Sequence, residues 1–171
     1  MNNLIFAEPI GENFSPIGSA ASQSNSAFSP TGSAEKFVVF FLSGRLYGVA
    51  TEKIAEVSPP LPVAVVPHAP EWLLGIANLR GEMMTVINAA KILGGKTETS
   101  RDKMKFVVLQ TKKYDTIIAF PIDRLSEITT LSGKPAAASA DLPFVFGKLE
   151  YQSNEIRLID VERMLSSIAP E

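Results

Sequence analysis

The sequence predicts a mainly β protein built from two similar halves. Three observations carry this reading. Apolar residues come in short runs of strand length. Gly, Pro, Asn and Asp separate those runs. Three blocks of the chain also recur, in the same order, about 70 residues further on.

Taken in chain order, residues 1 to about 34 stand apart. They are rich in Ser, Ala, Gly, Pro and Asn, and their only charges are Glu8 and Glu12. Such a segment buries too little apolar surface to offset its ordering entropy, so it reads as a disordered tail. Leu4-Ile5-Phe6 is its exception, read either as a short docking peptide or as a stray apolar cluster. From Phe37 the pattern changes. Phe37-Val38-Val39-Phe40-Phe41-Leu42 is β-branched and aromatic, which favours a strand. Ser43-Gly44-Arg45 is a turn, and Leu46 to Ala50 returns as the second strand of a hairpin. Further strands are expected at Val63–Val66, Met83–Ile87, Phe106–Leu109, Thr116–Phe120, Pro143–Phe146 and Ile156–Ile159. Short helices are expected at Pro70–Leu74, Ala89–Leu93 and Val161–Ser167. Many short strands at close spacing predict small barrels or a sandwich.

The repeat divides the chain. Phe37-Val38-Val39 recurs as Phe106-Val107-Val108. Glu52-Lys53-Ile54-Ala55-Glu56-Val57 recurs as Asp123-Arg124-Leu125-Ser126-Glu127-Ile128. Val86 to Leu93 recurs as Leu158 to Leu165. One short match would be chance, but three ordered matches indicate duplication. The halves span about 37–93 and 106–165, joined by the polar stretch from Gly94 to Lys105. A half of roughly 60 residues is marginal alone. The two are therefore expected to pack through an apolar seam, whose groove is a natural binding place.

Composition narrows the function. Among the 171 residues there is no cysteine, which removes disulfides, thiolate nucleophiles and cysteine metal sites, and weakly suggests a reducing cytoplasm. One histidine, His68, cannot build a histidine metal cluster, and no cofactor motif is present. The net charge of −2 comes with no basic stripe, so no nucleic acid is expected as partner. The longest apolar run is six residues against the about 20 a membrane helix needs, so no direct membrane insertion is expected. No basic residue precedes Lys36, unlike the charged start of a signal peptide.

Catalytic constellations are missing as well. The sequence has no phosphate-cradling glycine loop, no HExxH and no GxSxG elbow. Asp123 and Glu127 are imaginable as acid and base, but their recurrence as Glu52 and Glu56 points to structure or interface. His68, between Pro67 and Pro70, reads as an exposed loop residue, and Trp72 as a core plug on a short helix. Asn78-Leu79-Arg80-Gly81 is the unusual polar insert. Asn and Gly tolerate positive φ, so a tight turn is expected. A turn does not require Arg. Its planar fork suits either an internal ion pair, with Glu56 the candidate, or an anchor at a protein interface.

The stretch from Pro67 to Gly81, ending Gly75-Ile76-Ala77-Asn78-Leu79-Arg80-Gly81, resembles the signature of CheW-like chemotaxis coupling proteins. Tyr47-Gly48-Val49 with Ile54 to Val57, Phe120 to Asp123 with Leu125 to Ile128, Phe146-Gly147, and Leu158-Ile159-Asp160 extend the likeness over about residues 35–168. The resemblance implies two intertwined SH3-like five-stranded β-barrels with a few short helices. It implies a cytoplasmic, non-catalytic signalling adaptor without cofactor or metal, coupling the cytoplasmic tip of a methyl-accepting chemoreceptor to a CheA-type histidine kinase. Carried over by position, the receptor and kinase contacts would be Ile54, Glu56, Val57, Gly75, Asn78, Arg80, Gly81 and Val107. The competing reading is a stand-alone β-barrel module for a peptide or ligand.

Two departures stand out. The family's Pro-Val-x-Asp-Leu is Thr85-Val86-Ile87-Asn88-Ala89 here, with Asn88 expected to cap the following helix. Ala119 replaces a usual Gly, and Pro121 suggests that its strand lies at a sheet edge. These departures leave flagellar chemotaxis and type IV pilus motility both open as the pathway. The same domain ends CheA-type kinases, but ATP-binding and phosphoacceptor regions are not in this sequence, so the free-standing adaptor is the better match.

Overall fold

The computed structural model describes residues 34–96, 104–110 and 116–168. The expected tail lies outside the described residues except for exposed Ala34, as does most of the joining stretch.

Each half contributes the same series of elements. In the first half these are β1 (Glu35–Leu42), β2 (Arg45–Ala50), a 3₁₀ turn (Thr51–Lys53), β3 (Ile54–Ser58), β4 (Val63–Ala64), β5 (Leu73–Leu79), β6 (Glu82–Ile87) and the helix α1 (Ala89–Ile92). In the second they are β7 (Lys105–Leu109), β8 (Ile117–Ile122), β9 (Arg124–Leu131), β10 (Ala136–Ala137), β11 (Val145–Tyr151), β12 (Asn154–Ile159) and α2 (Val161–Ser166).

The strands form two sheets, ordered β10-β11-β12-β2-β1-β9 and β4-β5-β6-β8-β7-β3. Replacing every strand by its counterpart in the other half turns one order into the other. Each sheet takes four strands from one half and the leading hairpin of the other. The halves are thus intertwined by an exchange of hairpins. β1 pairs antiparallel with β9, and β2 runs parallel to β12; reciprocally, β7 pairs with β3, and β8 runs parallel to β6.

Burial explains the unbroken apolar run at the start of β1. Phe37 and Val39 enter a core inside the first sheet with Leu149, Ile156 and Leu158. Val38, Phe40 and Leu42 face the other way, into a large core shared by both halves with Phe120, Ile122 and Met164. Its counterpart β7 repeats this, with Phe106 and Val108 in the second sheet's own core and Val107 and Leu109 in the shared one. A strand covered on both faces has no polar side to alternate with.

The two helices begin alike. The Asn88 side chain accepts the Lys91 N–H, and Asp160 accepts that of Arg163. Asn88 thus provides the expected cap.

Several expectations need correction. The described residues place six strands in each sheet, not five, because the two-residue edge strands β4 and β10 add to each. Pro70–Leu74 is no helix. The Leu73 N–H donates to the Pro70 carbonyl in a turn, and β5 starts at Leu73, with Trp72 packed at the margin of the shared core. β8, which holds Pro121, is an interior strand between β7 and β6. Its ladder to β6 stops at Ala119, so at Pro121 only β7 runs alongside, and the missing N–H leaves no bond unmade.

Candidate protein-binding site

The β5–β6 hairpin supplies the site's exposed part. Leu79 pairs with Glu82, so Arg80 and Gly81 form a two-residue turn. Both have positive φ, 55° and 95°, as a type I′ turn demands. The Gly81 N–H donates to Asn78 Oδ1 at 2.9 Å. Asn78, Arg80 and Gly81 are all exposed.

Glu56 comes from β3, at the opposite end of the same sheet order. The Arg80 guanidinium nevertheless meets its carboxylate at 2.9 Å. The sheet must therefore curl until its first strand faces the turn at its far side. The other sheet curls likewise: the Tyr151 hydroxyl at the end of β11 donates to Glu127 on β9 at 3.3 Å. Glu56 and Glu127 are counterparts in the repeat, each bonded across the curl, but to different chemistry. The Arg80 side chain is 62% exposed while that of Glu56 is 15% exposed. The carboxylate is thus the seated partner and the guanidinium the presented one. Both readings of Arg80 meet in one geometry: it forms the ion pair with Glu56 and stays largely open to solvent.

The remaining carried-over residues sort by depth. Val57 is half-buried on β3 against the shared core. Ile54 is buried in that core, and Val107, on β7 opposite Val57, is fully enclosed. Both side chains point into the shared core, with almost none of their surface open in this structure. Gly75 is also buried. It sits at a β5 bulge with φ 148° while β4 crosses it so closely that an added Cβ would collide with the Ala64 carbonyl.

Among the described residues, three large apolar ones stand exposed where the sequence gives no direct sign of it: Ile128 on β9, 46% exposed, and two in the first half. Met83, opposite Asn78 in the ladder, is 62% exposed, and Val65, beyond β4, is 71% exposed. Both lie inside apolar runs of strand length in the sequence. Period-two alternation from buried Met84 would have turned Met83 outward. Its counterpart in the second half is Glu155, held by Lys148 at 3.1 Å and Arg157 at 3.3 Å. Those cations, Lys148 first, keep the Glu155 carboxyl below the usual carboxylate range. The duplicated frame therefore tolerates charge at this position, and the fold itself does not call for Met83.

The carboxylates considered for chemistry serve the fold. Asp123 Oδ2 accepts the Gly44 N–H at 3.1 Å, tying down the exchanged β1–β2 turn, and Glu127 is taken by Tyr151. Among the described residues no group of three or more His, Cys, Asp or Glu side chains is placed to hold a metal ion. No helix among them is long and apolar enough to cross a membrane.

The model of the CheW-like domain matches residues 36–169, both intertwined halves together. The chain belongs to the CheW-like domain family. The chemotaxis protein CheW of Rhizobium meliloti is 24% identical over 149 residues, covering 84% of this chain and 95% of that protein. The chemotaxis protein CheW of Helicobacter pylori is 26% identical, covering 76% and 81%. Among solved structures, the scaffolding protein TtCheW from Thermoanaerobacter tengcongensis matches with a TM-score of 0.64 and 25% identity, over 81% of this chain and 91% of that one. Membership sets this CheW-like domain among chemotaxis scaffold proteins, not enzymes.

Proposed function

We propose that this chain is a cytoplasmic adaptor that couples the cytoplasmic tip of a methyl-accepting chemoreceptor to a CheA-type histidine kinase. The observation that carries the reading is the Glu56–Arg80 pair: an exposed guanidinium on a rigid turn, anchored by a carboxylate that is itself mostly covered. A guanidinium has five N–H donors, and the link to Glu56 engages one nitrogen. The fork is thus oriented before a partner arrives, which lowers the entropy lost on binding. A helical tip would lie along β3 against Val57, with Asn78, Arg80 and Gly81 at its edge. Ile54, Val107 and Gly75 would keep that surface in shape.

The test is reconstitution of the purified chain with a CheA-type kinase and a receptor fragment from the same cell, followed by co-sedimentation and kinase activity. Arg80→Ala is expected to weaken partner binding by roughly tenfold or more, in the range of an interface anchor. Its melting temperature should fall by several degrees without loss of the fold, because the Glu56 carboxylate, 15% exposed, is left without its partner at a cost of about 1–3 kcal/mol. Loss of the fold would make Arg80 a structural residue. Binding at the parent level would remove it from the interface.

A further inference from the structure

We propose that Asn78 acts as a positioning residue that locks the β5–β6 turn in the one conformation from which Arg80 reaches Glu56. The proposal rests on the adaptor reading above and deepens it, since it assigns Asn78 a role within the chain instead of a contact with the partner.

A two-residue turn of this type leaves the inner N–H of its second residue outside the ladder. Here that group is the Gly81 N–H, and Asn78 Oδ1 takes it at 2.9 Å. The bond matters because Arg80 stands at φ 55°, a region that an L side chain enters at a cost. Without a tie, the turn can relax toward other geometries, and the guanidinium then leaves the Glu56 carboxylate 2.9 Å away.

Two other turns in the molecule bear on this. In the Ser43-Gly44 turn, also at positive φ, the Gly44 N–H is likewise accepted by a side-chain oxygen, that of Asp123. The same device appears where the exchanged hairpin must keep its shape. In the Gln152-Ser153 turn, the second half's counterpart of Arg80-Gly81, Glu150 stands in the place of Asn78. Among the described residues no hydrogen bond joins Glu150 to Ser153. That turn presents no cation to aim: Gln152 Nε2 donates to the neighbouring Tyr151 hydroxyl instead. At the counterpart turn, where no arginine is aimed, the second residue's N–H lacks this tie, and the Asn154 side chain instead donates to the Gln152 carbonyl at 3.0 Å. Asn78 is exposed and its side chain carries none of the core, so packing does not account for it.

The experiment compares Asn78→Ala and Asn78→Asp in the full chain, each with and without Arg80→Ala. Asp keeps an acceptor oxygen in place. In Asn78→Ala the Gly81 amide should exchange with solvent several-fold faster by NMR, and the Arg80 side-chain resonances should move toward those of a free arginine. Asn78→Asp should restore both, and each Asn78 variant should melt close to its own background, parent or Arg80→Ala. Binding to the kinase and receptor fragment should weaken about three- to tenfold in Asn78→Ala, the effect of one lost hydrogen bond. It should fall no further when Asn78→Ala is added to Arg80→Ala. Unchanged Gly81 exchange and Arg80 resonances in Asn78→Ala would overturn the proposal. Additive losses of binding in the double variant would overturn it too, making Asn78 a direct contact. If Arg80→Ala alone binds normally while Asn78→Ala still frees the turn, the positioning role stands and the adaptor reading of this surface falls.

Discussion

Gly75 and Gly81 lie on the same hairpin, and both have positive φ, but the structure assigns alanine very different costs at the two places. At Gly81, φ is 95° and nothing lies within 4 Å of where a Cβ would be. Gly81→Ala therefore meets only backbone strain, about 1–2 kcal/mol. At Gly75, φ is 148°, and the new methyl would be 2.8 Å from Val63 Cγ1 while pressing on the Ala64 carbonyl, which is backbone and cannot rotate away. Strain of about 1–3 kcal/mol combines with overpacking of similar size. The two together come to about 2–6 kcal/mol, a large share of the 5–15 kcal/mol that typically holds a domain folded. The relief available is to detach β4, which has only two paired residues, Val63 and Ala64. The assay is urea unfolding of both variants beside the parent, comparing midpoints at constant slope. Gly75→Ala should lose at least twice the stability that Gly81→Ala loses. Equal losses, or a Gly75→Ala midpoint at the parent's value, would refute the argument that Gly75 is set by the approach of β4.

Two further outcomes follow from the fold and its charges. A fragment of residues 34–96 should stay unfolded by circular dichroism and NMR. Its β1 and β2 need β9 and β12, and its β3 and β6 need β7 and β8; a cooperative melting transition in the fragment would contradict the exchange. The Glu35 carboxyl is held above its ordinary value of 4.5, first by burial and then by Glu52, with Lys53 opposing. For a raised acid, the stabilising contribution is full below the unfolded value and is lost as pH rises through the folded one. Glu35→Gln should therefore raise the melting temperature slightly at neutral pH and not at about pH 3, whereas a gain that persists at low pH would reject burial of the charge as the cause.

How far the sequence discloses the fold depends on the range of the interaction involved. Turns and caps are legible because one or two residues decide them. Ser43-Gly44, Arg80-Gly81 and the capping Asn88 all stand where local chemistry puts them. The duplication is legible because it is written in residue order. Strand neighbours are not. Pro121 looks like an edge residue because proline lacks an N–H, and nothing local tells that β8 lies inside the sheet with its β6 ladder ending two residues earlier. Trp72 reads as helical after Pro70-Glu71, yet pairing with β6 takes over from Leu73. For the candidate site, the stretch from Asn78 to Gly81 signals the tight turn that forms there. It could not separate presented residues from supporting ones. Val107 and Val57 are both aliphatic, directly paired and turned to the same core, but Val107 is sealed on the interior strand β7 while Val57 stays half open on the edge strand β3.

The duplication also allows a separation of roles that a single half would not. Both sheets need something to bridge the curl near the end of the fifth strand of their half, and both begin that bridge with a glutamate, Glu56 or Glu127. In the second half, a neutral Tyr151 hydroxyl completes it. An arginine is therefore not what the curl demands. The same holds one turn further along, where Gln152 takes the arginine's place at φ 48° and Ser153 the glycine's at 64°. It holds again on the outer face, where Glu155, neutralised by Lys148 and Arg157, stands opposite Glu150 while Met83 stands bare opposite Asn78. At these places the first half turns a cation outward and leaves an apolar side chain uncovered, where the second half has a hydroxyl and a paired carboxylate; the second half's own exposed apolar residue is Ile128, 46% exposed on β9. Such departures are not demanded by stability, since the second half fills the same positions with a hydroxyl, an amide and a paired carboxylate on the same frame. They are what a surface shaped by a partner would carry.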